Sequence, residues 1–216
     1  MRRLLMATIF GSALVTPVLA QDRFPLIPTE QRTPAQQALA TAIQTGPRAN
    51  VPGRDNSIGG PFNIWLRSPG VGDLIQQLGA ELRFRSSIPA ALNEFAIIIT
   101  AREWSSQYEW HAHHRLALAA GLPASVAEDL VQGRRPGGMS EDQRIVYDFC
   151  TEMHRTHFVS DATFAAAKAR FGEQGVVDLI AVSGFYVMVS MALNVGRVSI
   201  PNGGALPLPE LTGARR

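Results

Sequence analysis

From Gly70 to about Val198 the apolar residues of this chain recur at intervals of three and four rather than two. That period buries one face of a helix, so the spacing predicts an all-α body in which no strand is needed. The predicted helices are Val71 to Phe84, Pro89 to Trp104, Ser106 to Ala120, Ala124 to Gln132, Ser140 to His157, Ser160 to Phe171 and Glu173 to Val195. The punctuation agrees. Pro89 sits where a first helical turn tolerates proline, and Gly121, Gly172 and Gly196 follow helices where a left-handed residue is wanted. Ser160-Asp161 before an alanine-rich run is a start signal, and His154 and His157 fall in the preceding last turn, where a cation suits the helix dipole.

Residues 21–69 are different in kind, being rich in Pro, Gly, Asn and Gln. They read as an irregular N-terminal arm with one helical candidate, Pro34 to Gln44, followed by loop chemistry from Asn56 to Phe62. Ile64, Trp65 and Leu66 supply apolar anchors, so the arm is expected to pack over the helical body or a neighbouring subunit. The resulting division is 21–69 arm, 70–200 helical domain and 201–216 C-terminal tail.

Ahead of the arm, Met1-Arg2-Arg3, an apolar run from Leu4 to Val18, and Val18-Leu19-Ala20 read as a secretory signal over residues 1–20. The expected address is periplasmic or secreted, with Gln21 as the mature start. The chain carries 20 basic and 18 acidic residues, and Arg2 and Arg3 account for the excess of two, so the mature chain is near neutral. Its arginines are scattered and flank no aromatic platform, so the charge gives no licence for nucleic-acid binding and no such partner is expected. Cys150 is the single cysteine, so an intrachain disulfide and a two-cysteine redox cycle within one chain are also excluded. It shares a stripe with Val146 and Met153 and reads as a small buried hydrophobe.

Val176 to Val195 is long and apolar enough to raise a membrane span. Asp178, Ser183, Ser190 and Asn194 interrupt it, and Gly184 and Ala192 suit close packing, so it is expected to be a central bundle or oligomer helix with no stable membrane insertion.

The segment Leu92 to Arg115 concentrates the chemistry. Two helices meet at a serine corner, Ser105-Ser106, and at about 100° per residue Ser106, Glu109 and His113 share one face of the second helix, while Glu94 comes from the first. A hydroxyl, two carboxylates and an imidazole can converge there. Ser106-x-x-Glu109 is equally a capping box, which satisfies helix-start amides without any catalytic role. Glu94 inside an apolar helix requires a partner such as His113 or Arg102. Trp104, Tyr108 and Trp110 read as core or pocket wall. His111 with His114 and His154 with His157 have ligand-like spacing, but they belong to different faces and are better explained locally, so no metal site is expected.

A glutamate, eleven residues, two positions spaced as Cys-x-x-Cys, then three residues and a histidine is the active-site pattern of alkylhydroperoxidase D-like proteins. Glu94 and His113 occupy the glutamate and histidine positions, whereas Ser106 and Glu109 stand where the cysteines would be. From about Leu74 to Val198, with Arg102-Glu103-Trp104, Tyr108-Glu109-Trp110, Val159-Ser160-Asp161 and the run Gly172 to Ile180, the chain resembles the cysteine-less branch of the carboxymuconolactone decarboxylase family. The resemblance implies an alkylhydroperoxidase D-like helical bundle, a homo-oligomer (trimer or hexamer), and a cofactor-free lyase or isomerase for a small unsaturated carboxylate or lactone. It assigns catalysis to Glu94, Ser106, Glu109 and His113, with Arg102, Trp104, Tyr108 and Trp110 against the substrate. Peroxidase activity of the alkylhydroperoxidase type is the family-level alternative, and a non-catalytic binding oligomer is another.

Overall fold

The computed structural model describes residues 22–51 and 57–209; the expected signal and residues 210–216 lie outside them. Among the described residues the regular structure is helical throughout: α1 Pro34–Thr45, α2 Pro61–Trp65, α3 Pro69–Phe84, α4 Ala90–Glu103, α5 Gln107–Ala119, α6 Ala124–Val131, α7 Glu141–Thr156 and α8 Asp161–Gly196, with three short 3-10 turns.

α4 is the axis of the fold. Its run Phe95, Ala96, Ile97, Ile98 and Ile99 is apolar on every side, so it can be satisfied only by being surrounded, and all five residues are fully buried. α5, α7 and α8 supply that surround. Each large side chain so buried contributes about 1.5–3 kcal/mol, which makes α4 the element whose sequence most directly drives assembly.

The predicted pair Ser160 to Phe171 and Glu173 to Val195 forms one continuous element, α8, broken at Gly172, whose φ of 70° and ψ of 179° suit glycine alone. Ser160 opens it as expected, its side chain accepting from the Thr163 amide. The expected left-handed turn at Gly196 is displaced by one: Gly196 stays helical and Arg197 takes φ 51°. By length and composition α8 could cross a membrane, and half of its apolar window is buried inside the fold. Asp178 has a local task there, accepting from the Ser87 amide and hydroxyl at 2.7 Å each and so holding the turn before α4.

The histidines ending α7 depart in part from expectation. His157 is itself the left-handed cap, with φ 65°. His154 lies in the last turn as expected, but it packs against the Thr100 hydroxyl at 2.9 Å and burial lowers its pKa, which weakens it as a cation on the dipole.

The arm packs on the body of its own chain. α1 and α2 contact α3 and enclose a small separate core of Leu39, Ala40, Ile43, Ile58 and Leu66. The chain before α1 is tied to the far end of the bundle, because the Arg23 amide donates to the Gly196 carbonyl and Asp22 accepts from the Ser199 amide and hydroxyl. α2 was not predicted: it is a single turn, too short for periodicity to reveal, and Pro61 at its start is the local signal.

A candidate active site: a buried charge relay

The serine corner forms where the spacing places it. Trp104 ends α4, Ser105 turns through φ 45°, and Ser106 precedes α5. With α5 so aimed, His113 comes up beside Glu94, and its Nδ1–H donates to Glu94 Oε2 at 2.6 Å. On the other side of the ring Nε2 stands 3.0 Å from Glu109 Oε1, one helical turn back on α5. Only an imidazolium donates from both nitrogens, so the geometry calls for a protonated ring. Tyr186 of α8 closes the site, its ring edge-to-face with His113 at 5.0 Å between centroids.

Electrostatics agree with geometry. Burial by itself would lower the pKa of His113, but Glu94 and Glu109 outweigh it and raise the value to about 9. Burial would likewise raise Glu94, and His113 with Arg83 pulls it below its ordinary value instead. Arg83, from the last turn of α3, reaches Glu94 Oε1 at 3.5 Å, while its Nε is buried without a hydrogen-bond partner. Burial pushes the Tyr186 hydroxyl up, so it keeps its proton. The result is an alternating row, Arg83, Glu94, His113 and Glu109, with Arg83 and Glu94 at its more accessible edge: their side chains are 13% and 12% exposed, against 8% and 4% for His113 and Glu109.

The arm brings one more charge. Arg48 is buried; its Nη1 donates to the Gln76 carbonyl at 2.8 Å, and its guanidinium is close enough to Tyr186 to lower that hydroxyl's pKa against the effect of burial. Gly79 makes room for it, since a Cβ at that position would stand 2.5 Å from an Arg48 Nη.

The other sequence candidates are placed as follows. Ser106 is fully buried, but its hydroxyl has no hydrogen-bond partner and makes no cap, and the Glu109 carboxylate is engaged by His113, so neither half of the capping box forms. Trp104 is partly buried, and its carbonyl accepts from Asn194. Tyr108 is half-buried against the arm, where a Cβ on Gly60 would be 2.5 Å from its hydroxyl. Trp110 is 2% exposed and stacks on His114, which makes it core. Arg102 does not meet Glu94; its Nε donates to the Val131 carbonyl. Cys150 is fully buried against Ser183, and burial pushes its thiol up to about 12. Among the described residues no group of three or more His, Cys, Asp or Glu side chains is arranged to hold a metal ion.

Sequence reasoning missed Arg83, Arg48 and Tyr186. A signal existed for Tyr186, which joins Ser183, Ser190 and Asn194 in a polar stripe at three- and four-residue spacing along an otherwise apolar helix. Arg83 and Arg48 carry no comparable local mark. No protein-family profile, curated protein or solved structure matches the chain.

The row makes stability depend on pH. A pKa raised from 6.5 to about 9 on folding means that the contribution of protonated His113 is complete below pH 6.5 and is lost as pH rises through about 9. At about 1.4 kcal/mol per unit that is of order 3 kcal/mol. Urea midpoints are therefore expected to fall on the alkaline side in the wild type and to flatten over that range in His113→Gln. Parallel curves for the two proteins would mean that the ring is not protonated in the folded state.

Proposed function

We propose that this chain is a cofactor-free acid–base catalyst, a lyase or isomerase of the carboxymuconolactone decarboxylase type with an alkylhydroperoxidase D-like bundle, acting on a small unsaturated carboxylate or lactone. The observation that carries the reading is the buried histidine held between two carboxylates, with Arg83 at the accessible edge. A substrate carboxylate or enolate oxygen is received by the guanidinium of Arg83 at that edge. When the carbon–carboxylate bond breaks, its electron pair stays on the substrate as a dienolate, stabilised by the guanidinium, and carbon dioxide leaves. Glu94 takes the Nδ1 proton of His113 and passes it to the carbanion carbon; solvent then returns a proton to His113. Glu109 keeps the ring oriented from the other nitrogen. In an isomerase the same relay moves a proton without loss of carbon dioxide.

Peroxide reduction by a thiol pair is disfavoured, because the one cysteine is buried and its thiol is held far from the thiolate form. A non-catalytic binding role has one observation in its favour: both ring nitrogens of His113 are already engaged. Incubating the purified chain with a panel of unsaturated lactones and aromatic breakdown acids, while following substrate loss and carbon dioxide release, separates these readings. Turnover supports the lyase or isomerase, and a ligand that binds but is recovered unchanged supports the binding role.

The same reading includes export and self-association. Val177, Ile180, Met191 and Val195 of α8 and Val71, Leu74 and Leu78 of α3 are exposed apolar residues, more than a solitary chain ordinarily leaves on two neighbouring helices. Light scattering without detergent is expected to give a trimer or hexamer mass; a monomer, or strict partition into the membrane fraction, would overturn this. Mass spectrometry of exported protein is expected to find Gln21 at its N-terminus, and an intact Met1 would count against cleavage.

A further inference from the structure

A different charged cavity lies toward the opposite end of α4, walled by Arg102, Glu103, Leu130, Gly133, Tyr147 and Arg155 and enclosing about 190 Å³. Eight residues of helix separate Glu94 from Arg102, about 12 Å along the axis, so this cavity is separate from the relay. It has room for roughly six waters' worth of ligand.

The polar groups around it are held in place by contacts that leave donors unused. Arg102 is anchored through Nε to the Val131 carbonyl at 2.9 Å, and neither Nη makes a protein hydrogen bond among the described residues. Gly133 turns beside it at φ 70°, and a Cβ there would stand 3.1 Å from Arg102 Nη2, so glycine keeps the fork uncovered. Arg155 donates through Nε and Nη2 to a single Glu103 oxygen, at 3.0 and 2.7 Å, which orients the guanidinium and cancels the carboxylate's charge. Tyr147 forms the floor. It is 4% exposed, its ring lies against Phe95 and beneath the Arg135 guanidinium, and its hydroxyl has no protein hydrogen bond among the described residues.

We propose that this cavity is an oxyanion-binding site for a compact carboxylate or phosphate, received by the Arg102 fork with the Tyr147 hydroxyl donating from below. The lining carries Arg102 and Arg155 against Glu103, one positive charge in excess, so an anion is favoured and a cation is not. A planar fork with two free ends matches two oxygens of one anion, which a lysine ammonium does not reproduce. The site stands independently of any catalytic role for His113.

Calorimetric titration of the full chain with inorganic phosphate, and separately with acetate, tests this at fixed ionic strength. Saturable binding of at least one probe is expected at one per chain, and which one binds tighter identifies the oxyanion. Arg102→Gln is expected to weaken it at least tenfold, Arg102→Lys to recover little, and Tyr147→Phe, which keeps the ring, to weaken it severalfold. Arg134→Gln, at an exposed pair with Asp129, should bind as the wild type does. Thermal melting confirms that each variant is folded. The absence of saturable heat with both probes overturns the proposal, as does equal binding by folded Arg102→Gln and Tyr147→Phe.

Discussion

His113→Ala is expected to lower turnover by about 10²–10⁴-fold, the range that a positioned proton donor supplies. The expectation rests on connectivity. His113 is the only group in the row that bonds to both carboxylates, so deleting the ring disconnects Glu94 from its proton and leaves Glu109 without its partner. A purely structural role would also reduce activity, through loss of folded protein, so the rate must be normalised to the folded fraction. The pH profile is the readout that packing alone does not move. The wild-type rate should decline as pH rises through about 9, where His113 loses its proton, and that limb should vanish in His113→Gln. A folded alanine variant that retains wild-type turnover would remove His113 from the mechanism.

Glu94→Ala is expected to destabilise the fold by about 3–5 kcal/mol in urea unfolding, because it leaves Arg83 and protonated His113 as buried cations with no charge between them. Part of this is relieved as His113 gives up its proton, so the loss should be greatest well below pH 9. Removing the stranded cation as well, in Arg83→Met with Glu94→Ala, is expected to recover a share of the loss, and the non-additivity of the pair measures their coupling. Lys168→Ala provides the contrast: its pair with Glu173 is open to solvent, and about 0–1 kcal/mol is expected. Equal losses at the two sites would mean that the row is well enough solvated to tolerate a missing charge.

Slow oxidation of Cys150 in the folded chain is an expected consequence of its burial. Cys150 packs between α7 and α8 with its thiol against Ser183, which removes both the access and the thiolate that oxidants need.

Much of the helical body was legible because its rules are local. The interval of apolar residues, Pro89, Ser160 and Gly172 set where helices begin, break and turn, and the structure follows them within a residue or two. The contact between Glu94 and His113 was legible as one of two pairings, the other being Glu94 with Arg102, for a related reason. Two helices joined by a tight corner leave few ways to pack, and both residues lie on the faces that must meet. The same local rules misled at Ser106, whose spacing to Glu109 suits a capping box. A buried imidazolium competes for that carboxylate more strongly than a backbone amide does, and whether an imidazolium arrives is not a property of the four residues. The position of His154 in the last turn of α7 was legible, whereas its contact with Thr100 was not, because Thr100 comes from another helix.

By itself, then, the sequence determined the all-helical class, the corner, and the carboxylate and imidazole at its centre, because each depends on separations along a helix whose geometry is constant. Only the tertiary structure decided that Tyr186 packs on that imidazole, Arg83 meets Glu94 and Arg48 lies near Tyr186, while Arg102 faces another cavity. Those groups come from α3, the arm, α8 and the far end of α4, and the distances between them depend on how whole helices pack, to which spacing along the chain is blind.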